Sequence, residues 1–202
     1  MTHDIKNYSV ALNLMTTIKE QLSENLLSRM DNEFDKTLEE PDHKLRSKLV
    51  KQHKRNVEEV TPVSHVINPM QVRMTQIEIN LGFVLENACY NKSYLAAARY
   101  FAEYDFLCQQ IKKEANKAKN NTVLQDFLKR STVLDTNWFE VMSETLTMMQ
   151  HLVIHRMNYE PEIYIDLDIV KDSNLDFDEV KVEYKNTLKK LKEDLKKQKK
   201  VA

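Results

Sequence analysis

Glycine is almost missing from this chain: Gly82 is the single one in 202 residues, where average usage of about 7% would supply roughly fourteen. Tight turns, left-handed caps and close backbone approach to a phosphate usually require it. With one glycine, none of the patterns G-x-G-x-x-G, G-x-x-x-x-G-K or G-x-S-x-G can be written, which removes dinucleotide-binding, phosphate-loop and hydrolase-elbow chemistry. The same scarcity favours helices over a sheet rich in hairpins. Cysteine is equally sparse. Cys89 and Cys108 are too few for a disulfide framework and lack C-x-x-C spacing, so they read as core thiols of a reducing compartment. No apolar run approaches the ~18 residues of a membrane helix, and no apolar run follows a charged start. The expectation is a protein of the cytoplasm, of a cell or of an infected host, with no membrane partner.

What is abundant is charge. Charged residues make up 30% of the chain against 42% hydrophobic, with a net charge of -1, which describes a heavily solvated surface and by itself points to no partner. The distribution says more. Residues 1–40 carry eight acids and four bases, whereas His43 to Arg55 holds six basic residues and no acid. The contrast recurs in reverse further on: Glu160 to Glu183 has nine acids and two bases, and Tyr184 to Ala202 eight bases and two acids. Blocks of this kind mark solvated faces or interaction arms.

From Ile5 to Leu38 there is neither glycine nor proline, and Tyr8, Leu12, Met15, Leu22, Leu26, Met30 and Phe34 recur mostly three or four apart, the period of an amphipathic helix. Pro41 stops it. A second helix carries the basic run, with Leu45, Leu49, His53, Val57 and Val60 along one face. Thr61 to Met70, containing Pro62 and Pro69, reads as a linker, with Asn68 and Pro69 as N-cap and first turn of a helix through Met74, Ile77, Leu81, Leu85 and Ala88. After Asn91-Lys92-Ser93 the stripe resumes through Leu95, Ala98, Phe101, Cys108, Ile111 and Ala115 to about Lys119, which predicts an antiparallel hairpin. Gly82 lies inside its first arm at a cost of about 1 kcal/mol relative to alanine. A close helix crossing explains it, with Ala96, Ala97, Ala98 and Phe101 as packing residues of the facing arm.

Asn120-Asn121-Thr122 ends the hairpin, and a short helix spans about Val123 to Arg130. Asp135 or Thr136 caps a Met-rich helix from Asn137 to about Asn158. Beyond Pro161 the period changes to two, with Ile163, Ile165, Leu167 and Ile169 alternating with mostly polar residues, so residues 162–170 read as a short strand-like segment. Asn174 then caps a terminal helix bearing Val180, Tyr184, Leu188, Leu191 and Leu195, whose lysine-rich end complements the helix dipole.

Three constellations invite a chemical reading. Asp172, Asn174, Asp176, Asp178 and Glu183 sit at the first, third, fifth, seventh and twelfth positions of a calcium loop. In that spacing the segment resembles an EF-hand, but Phe177 stands at the position of its turn glycine, and acids stabilising a helix N-terminus account for the pattern. Glu140, Glu144, His151 and His155 share one helical stripe, as metal ligands in bundles do, without the Glu-x-x-His of di-iron bundles. The basic helix offers Lys44, Arg46, Lys48, Lys51, Lys54 and Arg55 to a nucleic-acid backbone. No serine or cysteine carries a recognisable nucleophile motif, so neither an enzyme nor a cofactor is expected.

The expected architecture is all-α: long amphipathic helices around a central antiparallel helical hairpin, with the one strand-like segment. It divides into an N-terminal arm at residues 1–60, a central helical bundle at 61–160 and a C-terminal segment at 161–202. Long amphipathic helices need a surface to cover them. The expected function is therefore a non-catalytic assembly, scaffold or adaptor protein that associates with itself, as a homo-oligomer, or with another subunit. The alternative is a nucleic-acid-binding helical oligomer contacting phosphates through residues 43–55. In its helical hairpin that architecture resembles the small terminase subunits of tailed phages, which implies a role in DNA packaging.

Overall fold

The computed structural model describes residues 30, 34–86, 91–118, 120–159 and 175–201. Among them the chain is mostly helical, with no strand. Residues 34–38 are helical, followed by α1 (His43–Glu86), α2 (Asn91–Ala115), α3 (Thr122–Arg130), α4 (Trp138–Tyr159) and α5 (Phe177–Val201), with 3-10 turns at Asn116–Ala118 and Thr132–Asp135. The strand-like segment at 162–170 lies outside the described residues.

The starts of α1, α3, α4 and α5 are each explained by a side chain. Asp42, just after Pro41, accepts hydrogen bonds from the backbone N–H groups of Lys44 (2.8 Å) and Leu45 (3.1 Å), satisfying donors that have no partner inside the helix. Asn121 does the same for α3 through Val123 and Leu124. The N-cap of α4 is Asn137, whose Oδ1 accepts from Glu140 N at 3.4 Å, rather than Asp135 or Thr136. The cap of α5 is Asp176, bonded to Asp178 N and Glu179 N at 2.9 and 3.2 Å, not the expected Asn174.

The largest correction concerns the linker at Thr61 to Met70. These residues are helical, Pro62 and Pro69 lie inside α1, and Asn68 caps nothing there because the helix neither ends nor starts at it. A proline inside a helix removes one backbone hydrogen bond and costs about 3 kcal/mol. Both prolines are exposed and seven residues apart, which puts them on one solvent-facing side, where the carbonyls they release reach water. The opposite side buries Val60, Ser64, Ile67 and Met74. Burying an aliphatic side chain stabilises by about 1.5–3 kcal/mol, so the burial of Val60, Ile67 and Met74 is of the same size as the penalty of the two prolines and offsets it.

The contacts divide the chain into two compact units, with boundaries inside α1 and α2. The first contains Thr75–Leu107 and Asn137–Ala202. Trp138 is its largest fully buried side chain, lying against Tyr104 edge-on at 4.6 Å and against Phe101 at 6.5 Å. Ile77, Leu81, Leu85, Ala97, Ala98, Met142, Leu146, Val180 and Tyr184 are buried in the same unit. The second contains Thr17–Met74 and Cys108–Thr136. Its interior holds Met30, Val60, Ile67, Met74, Ile111, Leu124, Phe127 and Val133, together with the buried polar residues Ser64, Glu114, Asn121 and Ser131.

Candidate functional site

In the second unit, the basic run forms the opening turns of α1. Spacings of four, three and four place Lys44, Lys48, Lys51 and Arg55 on one face of the helix, and all four are exposed. The other two members of the expected set stand apart from that row. Arg46 is half-buried and turns its guanidinium to the backbone, Nε donating to the carbonyl of Glu40 at 2.7 Å. Lys54 is exposed, but its position on the helix is offset from the row. Arg55 approaches Glu59 at 3.8 Å, a surface pair of little energetic weight. On the apolar side, Leu45 and Leu49 remain 43% and 36% exposed, whereas His53 stacks on Phe34 with ring centroids 4.3 Å apart.

In the first unit, a groove of about 600 Å³ runs between α2 and α5, lined in part by Arg99, Tyr100, Glu103, Glu183, Asn186 and Lys190. Arg99 Nε donates to Glu183 Oε1 at 2.5 Å. That contact bears on the calcium-loop spacing: Glu183, its twelfth position, is engaged by an arginine, and Asp176 is engaged as the cap of α5. Asp178 is exposed in the first turn. Asp172 and Asn174 lie outside the described residues. Of the second stripe, Glu140 accepts from Asn137 Nδ2 at 3.2 Å and Glu144 is exposed; the side chains of His151 and His155 lie outside what is described. Among the described residues no group of three or more His, Cys, Asp or Glu side chains is placed to hold a metal ion.

The proposed packing residues separate into two kinds. Ala97, Ala98 and Phe101 are buried at 0–1% exposure, but Gly82 is not at a close crossing. A methyl group built on it would meet no atom within 4 Å, and its backbone has no positive φ. Neither physical reason for a glycine therefore holds at this position, and the expected helix contact there is withdrawn.

Sequence periodicity missed the outward apolar residues of α1. Val72, Ile79 and Phe83 are 60%, 54% and 61% exposed. Ile79 and Phe83 fall between members of the buried Met74, Ile77, Leu81 and Leu85 series and Val72 two residues before it, and their own spacing of seven and four was the signal that could have found them. Among the described residues no helix is long and apolar enough to cross a membrane. The chain matches no protein-family model, no curated protein and no solved structure.

Proposed function

We propose that this chain is a non-catalytic helical assembly protein of the cytoplasm, acting as a scaffold or adaptor through association with a second copy of itself or with another subunit. The observation that supports this reading is the outward face of α1, where Val72, Ile79 and Phe83 are each more than half exposed while the opposite face of the same helix fills the interior. Covering such side chains in an interface gains about 25 cal/mol for each Å² of apolar surface removed from water. In the same reading, the end of α1 and the start of α2 form the helical hairpin; the hydrogen bond from Tyr104 Oη to Glu78 Oε1 at 2.9 Å supports it. The alternation at 162–170 would offer a further pairing edge.

The test is the mass by light scattering from low to high micromolar concentration. The chain should be larger than 23.9 kDa, and Val72→Glu with Ile79→Glu should return it to a monomer without loss of helicity. A monomeric mass throughout removes the homo-oligomer. The exposed row Lys44, Lys48, Lys51 and Arg55 favours a second reading, backbone-directed nucleic-acid binding of the small-terminase kind. In that case replacing Lys48, Lys51, Lys54 and Arg55 by alanine abolishes a low-salt mobility shift; an unchanged shift excludes this helix as the contact.

A further inference from the structure

The C-terminal helix carries a second cationic surface, more regular than the first. Along α5, Lys181, Lys185, Lys189, Lys192, Lys196, Lys199 and Lys200 follow one another at spacings of three or four residues, except for the final adjacent pair. Those intervals keep successive residues on one side of an α-helix. All seven are exposed. None is in an ion pair among the described residues, whereas Lys197, off the row, pairs with Asp194 at 3.3 Å. From Lys181 to Lys200 the row extends about 29 Å at 1.5 Å per residue. Two nearby carboxylates are engaged elsewhere, Glu183 by Arg99 and Asp194 by Lys197, while Glu193, four residues after Lys189 and three before Lys196, borders the row and pairs with neither among the described residues.

The other side of α5 is what holds the row in place. Val180 and Tyr184 are buried at 1% and 3% exposure. Tyr184 Oη donates to Asp105 Oδ2 at 2.8 Å, and its ring meets Phe139 edge-on at 5.3 Å. Thr187, Leu188, Leu191 and Leu195 continue that side and are half-buried. The apolar face of the helix is thus turned inward over its first turns and the lysines outward. This disfavours an anionic membrane, because an interfacial helix must bury its apolar face in lipid. Single-stranded nucleic acid is disfavoured as well, since it is held chiefly by aromatic side chains on which bases stack, and the row contains none.

We propose that the lysine row of α5 is a binding site for the phosphate backbone of double-stranded nucleic acid, contacted without regard to sequence. A duplex presents one negative charge per about 1.7 Å of its axis, a density that a row of seven ammonium groups, unpaired among the described residues, complements along its whole length. Lysine supplies point charges and no bidentate fork, so the contact positions the duplex and reads no bases. The site shares its ligand class with the second reading above but none of its residues, and it stands whether or not the chain self-associates.

The experiment titrates the full chain against a fluorescent 25-base-pair duplex from 50 to 200 mM salt. Binding should weaken on the order of 10³-fold across that range, with a slope of log K against log salt of about -6 for seven contacts. The paired substitution Lys189→Gln/Lys192→Gln should reduce the slope by about 2, while the charge-matched Lys190→Gln/Lys197→Gln, off the row, leaves it unchanged. Circular dichroism verifies that both variants retain full helicity. A titration of Lys44→Gln/Lys48→Gln/Lys51→Gln separates the two arms, because loss of binding in that variant alone assigns the duplex to α1 and overturns the proposal. No duplex binding at 50 mM salt overturns it, as does equal weakening by the row and off-row pairs. Binding to phosphatidylserine vesicles in place of the duplex overturns it in favour of a membrane.

Discussion

Around Trp138 the buried side chains are strongly aromatic, with Tyr94, Phe101, Tyr104, Phe106 and Tyr184 in the same unit; around Asn121 they are mostly aliphatic, with Ser64, Glu114 and Ser131 among them. The first interior is stabilised chiefly by area. Large rings bury 150–250 Å² each and gain a further increment from edge-on contacts, such as that of Trp138 with Tyr104. The second interior depends more on geometry. Asn121 is 2% exposed and makes three side-chain hydrogen bonds: it accepts from Val123 N and Leu124 N, and donates to Glu59 Oε2 at 2.9 Å. One residue thereby starts α3 and ties it to α1. Units built on these two principles should respond differently to the same kind of substitution, because area survives an isosteric change and a directed hydrogen bond does not.

The comparison can be broken most forcefully at Trp138. Trp138→Ala should cost about 3–5 kcal/mol, read as a lower urea midpoint. Trp138→Phe should cost much less, because no group among the described residues accepts a hydrogen bond from the indole N–H and the ring contacts are largely kept. Equal losses in the two variants would mean that area is not what stabilises that unit.

A smaller effect is expected at Asn121. Asn121→Ala should cost about 1–2 kcal/mol, the loss of a cap together with the part-buried hydrogen bond to Glu59. Asn121→Asp keeps the acceptor of the cap but sets a carboxylate against Glu59, so it should recover only part of that loss. Full recovery in thermal melts would show that the Glu59 contact contributes nothing. The smallest change is the most diagnostic for the hairpin: Gly82→Ala should raise stability by up to about 1 kcal/mol, since an added methyl meets nothing. A destabilised Gly82→Ala would restore the close crossing that the structure does not have.

Much of the local structure was legible in the residues. The break at Pro41 and the start of α3 at Asn121 follow from capping and helix-breaking chemistry that acts within a few positions, whereas α2 ends at Ala115, earlier than the stripe to about Lys119 predicts. The Met74, Ile77, Leu81 and Leu85 stripe is buried as its period requires. The uninterrupted passage of α1 through Pro62 and Pro69 was not legible, since local rules weigh the lost hydrogen bonds but not the burial on the opposite side. The candidate surfaces divide in the same way. The basic composition of residues 43–55 and of the C-terminal helix is plain in the sequence, but that Arg46 bonds to a backbone carbonyl, and that Glu183 and Asp194 have their own partners, depends on neighbours distant in the chain or on the rotamers chosen.

By itself, the sequence determined that this is a helical protein without the glycine patterns of phosphate-binding loops, where most helices begin, and which stretches carry net charge. These are properties of composition and of contacts within one or two turns. The tertiary structure decided that the segment with Pro62 and Pro69 joins two expected helices into one, that Gly82 faces open space, and which lysines of α5 lack a carboxylate partner among the described residues. Each of these depends on which side of a helix is buried, and burial is a property of the whole packed chain.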